Sequence, residues 1–154
     1  QSGKDYTKYI ENLRNKMKQL LFKRNDSELV LAFIRVFIGF AFIYHGYGKF
    51  FNPIKWEWLG SQVPIIGEYG FIKSPLGFMA AFSEFIGGIC LCLGLMSRVF
   101  YTLLSFTMLT ASYYHFIKAE YLTLSLVYLI IIIALNYSGP DKYTLDSKIK
   151  VKLT

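Results

Sequence analysis

From Leu29 onward the chain alternates long apolar stretches with short polar breaks. Four stretches, 29–48, 76–96, 99–117 and 119–137, approach the ~20 mostly apolar residues that a helix needs to cross a bilayer. The last, with "LSLVYLIIIIALNY", is the cleanest. The pattern predicts an all-α fold: an integral membrane four-helix bundle over residues 29–138. Ahead of it, Tyr6, Ile10, Leu13, Met17, Leu20 and Leu21 recur at three- or four-residue steps, with Lys and Arg between them. That spacing predicts a basic amphipathic helix lying in the membrane interface; a helix packed on a cytoplasmic partner fits it equally well. Within this arm, residues 1–28, Gln1, Ser2 and Gly3 read as a remnant of recombinant processing and are left out of the fold. Asp26 and Ser27 supply an expected N-cap for the first span. That span is not read as a cleavable signal, because polar residues precede it and no small-residue cleavage pattern follows.

Residues 51–75 hold Pro53, Pro64 and Pro75, Gly67 and Gly70, and Trp56 and Trp58. The segment is too broken to span and too aromatic for a free loop. Tryptophan at headgroup depth is a common anchor, so the expectation is an extracytoplasmic cap in the interface, placed to cover a cavity between the helices. No internal repeat is evident.

Composition strengthens the membrane reading. The chain is 54% hydrophobic and contains 14 Phe and 12 Tyr, against the ~45–50% apolar content usual for globular chains. Basic residues then orient it, since those flanking spans are retained on the cytoplasmic side. Seven precede the first span, Arg98 lies in the second connection, and Lys142, Lys148, Lys150 and Lys152 follow the fourth. Lys49, Lys55, Lys73 and Lys118 fall on the other side, among Glu57, Glu68 and Glu120. The prediction is a multi-pass membrane protein with both termini and the basic tail 139–154 in the cytoplasm. The net charge of +7 then reflects topology and contact with the lipid bilayer, and no nucleic acid is needed as a partner.

Charge inside a span costs ~2.5–3.5 kcal/mol or more, so each such residue needs a partner or a role. By helical rise Arg35 lies roughly 9 Å above the cytoplasmic end of its span, and Glu84 roughly 18 Å above the same end. An Arg35–Glu84 ion pair is therefore expected. His45 and His115 lie near the opposite edge, about 6 Å beyond Glu84. The four side chains converge on a predicted polar cleft, with Gly39, Gly46, Gly77, Ala80, Ala81, Gly87 and Gly88 allowing close helix approach. Plainer readings stand beside this one. The ion pair can simply hold helices in register, and His45 can be an interfacial imidazole bonded to a backbone carbonyl. A haem held by His45 and His115 is disfavoured, because no redox-metal motif accompanies them, and no metal site is expected. Cys90 and Cys92 point to different helix faces and cannot form a relaxed disulfide. The signatures GxSxG, HExxH, the P-loop and the Gly-rich dinucleotide loop are all missing.

The stretches "FIRVFIGFAFIYHGYGKF", "EFIGGICLCLGLMSR" and "GPDKYTLDSKI" together resemble the DoxX family of small bacterial membrane proteins. Arg35, Gly39, Gly46 and Lys49 are similar to its first-helix signature. Glu84, Gly87, Gly94 and Arg98 are similar to its second, and Gly139, Pro140, Tyr143, Leu145 and Asp146 to its closing motif. The resemblance implies a four-helix membrane protein linked to thiosulfate:quinone oxidoreduction, and it brings Lys49 into the ligand-binding set. Two functions follow as expectations. In the first, the chain is the membrane subunit of a quinone- or sulfur-linked redox system. Arg35, His45, His115 and Lys49 bind a quinone or a small sulfur substrate, and Glu84, His45 and Arg35 form the catalytic group. A buried carboxylate or imidazole can move protons near neutrality; the electron-carrying cofactor belongs to a protein partner. In the second, the bundle is a non-catalytic scaffold, assembly factor or accessory subunit, docking a membrane or cytoplasmic partner through its arm and tail. A homo-oligomer stays open in both.

Overall fold

The computed structural model describes residues 2–21, 24–63, 69–119 and 123–153. All its regular elements are helices: α1 (Ser2–Leu21), α2 (Arg24–Phe50), α3 (Ile54–Gly60), α4 (Gly70–Leu93), α5 (Ser97–Ile117), α6 (Leu124–Ser138) and α7 (Leu145–Leu153). Lys23, Pro64, Gly67, Glu68 and Glu120 lie outside the described residues. Helix α2 packs on α4, α4 on α5 and α5 on α6, while α6 returns to touch α2. Ile38, Phe42, Leu91, Leu104, Met108 and Ile132 fill the space between them.

Two helices are long and apolar enough to cross a membrane: Ser27–Phe50 within α2, and α4. Helix α5 has comparable length but carries serines and threonines along it, and α6 is apolar but has 15 residues, roughly 22 Å at the helical rise. All four present bulky apolar side chains outward. Phe33, Phe37, Phe40 and Tyr44 make such a row on α2, and Ile130, Ile133 and Tyr137 make one on α6. Outward apolar rows of this size call for an apolar medium or a covering partner.

Several boundaries differ from those read in the sequence. Helix α2 starts at Arg24, so Asp26 and Ser27 lie inside it, past its first residue. Helix α4 starts at Gly70 and runs through Pro75; a proline this near a helix start removes one backbone bond without breaking the rod. Ser2 and Gly3, set aside from the sequence, belong to α1. On α1, Tyr6, Tyr9, Ile10 and Leu13 are exposed; the side chains of Met17, Leu20 and Leu21 lie outside those described.

The α2–α4 contact depends on missing side chains. A Cβ on Gly46 would lie 2.5 Å from the Phe85 nitrogen, and one on Gly39 would lie 2.6 Å from Cys92 Sγ. These contacts set the register: Gly46 lies level with Glu84 and Phe85, and Gly39 with Gly88 and Cys92. In the same way α3 lies on α4 because Gly60 and Gly77 leave room for the Lys73 and Trp56 carbonyls.

The segment after α6 folds back onto the base of the bundle. Asp146 accepts hydrogen bonds from the Met96 N–H at 2.9 Å and the Ser97 N–H at 2.8 Å, and thereby caps α5. Gly94, at φ +65°, ends α4, and a Cβ there would lie 2.6 Å from Thr144 Cβ. Residues 141–147 are thus built into the fold. Asp146→Ala should cost ~1–2 kcal/mol through loss of the cap, read as a lower melting temperature. Gly94→Ala should cost more, because left-handed strain adds to the clash with Thr144.

Candidate functional site

The expected Arg35–Glu84 pair does not form, because each group has another partner. Arg35 Nε donates to Asp141 Oδ2 at 3.1 Å, and Nη1 donates to the carbonyls of Leu91 and Cys92, the latter at 3.0 Å. The guanidinium is 3% exposed and belongs to the base of the bundle. The reason is register. Glu84 lies level with Gly46, eleven residues from Arg35, or roughly 16 Å along the helix, which is beyond the reach of an arginine side chain.

Glu84 pairs instead with Lys49, whose Nζ lies 2.8 Å from Oε1 and 2.6 Å from Oε2. The Lys49 side chain turns back one helical turn, because a carboxylate 4% exposed in an apolar wall needs a cation. Trp56 Nε1 donates to the Lys49 carbonyl at 3.0 Å, joining the start of α3 to the end of α2.

This ion pair stands between two cavities. The larger, about 560 Å³, lies among α3, α4 and α5. Leu76, Met79, Leu103 and Phe106 form its apolar wall, Trp58 and Gln62 come from the α3 segment, and Lys49, Glu84 and His115 give it a polar end. Gln62 Nε2 donates to the Trp58 carbonyl at 3.0 Å, which leaves Oε1 as a buried acceptor with no hydrogen-bond partner among the described residues. The smaller cavity, about 190 Å³, lies among α2, α5 and α6, against His45, Ser125 and Tyr128. Lys49, Glu84, Ala111 and His115 line both.

Of the residues singled out in the sequence, His45, Lys49, Glu84 and His115 come together here. Arg35 does not line either cavity. No cluster of three or more metal-ligating side chains occurs among the described residues. The His45 ring stands edge-on to Tyr128, with centroids 6.1 Å apart. Ser83 and Thr107, which bond each other at 2.7 Å across the α4–α5 contact and line the larger cavity, were not anticipated. Neither was Asp141. Its signal was present: Arg35 sits low on the first span, and Asp141 is the first carboxylate beyond the fourth.

No solved structure gives a significant match to the chain. An uncharacterized protein of Haemophilus influenzae is 29% identical over 127 residues, covering 77% of this chain and 89% of that one. The DoxX family model matches residues 30–116, from the start of the apolar part of α2 to the end of α5. That match takes in Lys49, Glu84 and His115 and more than half of the sequence, and the chain belongs to the DoxX family.

Proposed function

We propose that the protein is the quinone-binding membrane subunit of a redox system, with α2, α4, α5 and α6 crossing the cytoplasmic membrane and both termini in the cytoplasm. The observation that carries this reading is the larger cavity. It combines a long apolar wall with one polar end built from a buried ion pair and an imidazole. Its volume falls within the ~300–1,000 Å³ of small-molecule sites. That shape suits a flat, membrane-soluble ring whose oxygens meet the polar end. The Lys49 ammonium donates to a ring oxygen, and the Glu84 carboxylate accepts from the hydroxyl that forms there. His115, at the same end, holds or passes a proton. Reduction of a quinone to a quinol takes two protons and two electrons; the electrons come from a partner subunit that oxidises a reduced sulfur compound. Arg35, with its donors committed to Asp141 and two carbonyls, supports the fold and not the ligand.

Glu84→Gln keeps the shape of the site and removes a group that can take up a proton and pass it to the ring oxygen. Quinone-linked turnover in membranes should then fall ~10²-fold or more, with the melting temperature held within a few degrees. Unchanged turnover in a folded variant rules the mechanism out. The scaffold reading is favoured by one observation, the exposed Tyr6, Tyr9, Ile10 and Leu13 on α1. It predicts a stable protein partner in mild detergent and no retained quinone by native mass spectrometry.

A further inference from the structure

We propose that a third cavity, at the base of the bundle where α5 begins, is a site for the phosphodiester group of a membrane phospholipid. Only the placement of the chain in a membrane is taken from the reading above. The site is separate from the Lys49–Glu84 pair and from any quinone held there.

The cavity measures about 330 Å³, within the range of small-molecule sites. The start of α5 forms one wall, and Gly139, Pro140, Asp146 and Ile149 form the other. Asp146 already satisfies the Met96 and Ser97 N–H groups, at 2.9 and 2.8 Å, so the helix end is not what lacks a partner. Two hydroxyls are. Ser97 Oγ belongs to a residue 2% exposed and has no hydrogen-bond partner among the described residues. Tyr101, 3% exposed, also has its hydroxyl bonded to no described residue. Both residues line this cavity. They stand one helical turn apart, on the same side of α5. A buried hydroxyl without a partner carries a desolvation penalty, which a ligand accepting from both would relieve.

Arg98 identifies the ligand's charge. It lines the same cavity, is exposed, and forms no ion pair among the described residues. A guanidinium fork with two hydroxyls beside it suits a singly charged group with several acceptor lone pairs, and a phosphodiester is such a group. The Asp146 charge opposes an anion, but it faces the start of α5, whose dipole offsets it.

The rim identifies the source. Met96 and Val99 border the cavity and are 55% and 49% exposed, and Phe106, two turns along the same face of α5, is 63% exposed. A free anion has no use for such a row, whereas an acyl chain would lie along it. Arg98, Lys142 and Lys148 are exposed at this same end. The cavity thus lies where outward apolar side chains give way to basic ones, the level at which lipid headgroups meet a membrane protein.

The test is lipid retention by the full chain in mild detergent, read by native mass spectrometry. Dimyristoyl phosphatidylglycerol should bind ~10-fold or more tightly than dimyristoylglycerol, which has the same chains and no phosphate. Millimolar inorganic phosphate should not displace it. Arg98→Gln and Tyr101→Phe should each weaken retention ~10-fold, and Lys148→Gln, exposed but outside the cavity, less than ~2-fold. Ser97→Ala should also weaken retention, yet without lipid it should melt no lower than the parent, because its hydroxyl has no bond to lose. Equal losses in Arg98→Gln and Lys148→Gln would reduce the effect to general attraction between basic residues and anionic lipid, and overturn the site. Equal binding of the two lipids overturns it as well. Displacement by inorganic phosphate overturns the lipid as its source and leaves a free-anion site. Should Arg98→Gln not fold, Tyr101→Phe and Ser97→Ala decide the matter.

Discussion

Asp141→Ala should lower the stability of the folded protein by ~3–5 kcal/mol, the cost of breaking a buried ion pair from one side. The guanidinium it leaves is 3% exposed. It keeps its bonds to the Leu91 and Cys92 carbonyls, but these neutralise no charge. Arg35→Ala should cost about as much in the same range, because it strands the Asp141 carboxylate and frees two carbonyls near the end of α4. The double variant Arg35→Met/Asp141→Leu should recover much of the loss, since removing both charges also removes the burden of desolvating them. Unfolding followed by circular dichroism in detergent gives all three values. A single variant that melts with the parent would show that the pair contributes nothing.

At the other end, Lys49→Met should cost less stability, ~2–3 kcal/mol, because Lys49 is 30% exposed and partly solvated where Glu84 is 4% exposed. Its larger effect should be on the ligand. A carboxylate without its cation repels a ring oxygen, so quinone affinity should fall ~10–10²-fold, matching one lost charge-assisted hydrogen bond at ~1.5–3 kcal/mol. Glu84→Gln and Lys49→Met act on one unit. The double variant should therefore lose less than the two single losses combined, with a coupling of ~0.5–3 kcal/mol. Quinone titration by native mass spectrometry, alongside melting temperatures, separates binding from stability. Strictly additive losses would mean that Lys49 and Glu84 meet the ligand independently, against the shared polar end.

Much of the fold was legible because apolar periodicity is a local property. The runs around Phe42, Leu91, Leu104 and Ile132 announce helices whatever their neighbours, and the short steps between glycines announce close packing. Register is different, since it depends on which residues face which. Depth counting put Glu84 within reach of Arg35 because it set Leu76 level with the end of the first span; Gly46 against Phe85 sets the alignment instead, and leaves Glu84 eleven residues from Arg35. The same shift brought Lys49 inward. Asp141 was overlooked because the basic residues after the fourth apolar stretch were read for topology, and the carboxylate among them was not matched to a buried cation; Asp146 was noted only as part of the closing motif, and its cap on α5 was not foreseen. In the candidate site, the histidines and Glu84 were found from the cost of polarity in an apolar run. Gln62, Ser83 and Thr107 were not, because neutral hydroxyls and amides leave no such mark.

The clasp at the base has a consequence for the order of synthesis. Arg35 is among the first residues of the apolar part to leave the ribosome, and Asp141 is made 106 residues later. At ~5–20 residues per second, Arg35 waits several seconds or more for its carboxylate. During that interval α2 holds an uncompensated cation, and α4 and α5 lack the Asp146 cap at their junction. Nascent chains stalled before Asp141 should be degraded by membrane proteases, while those stalled beyond Ser147 should persist. The later residues thus certify the earlier ones, and a chain interrupted between them is marked as unfinished by its own unpaired arginine.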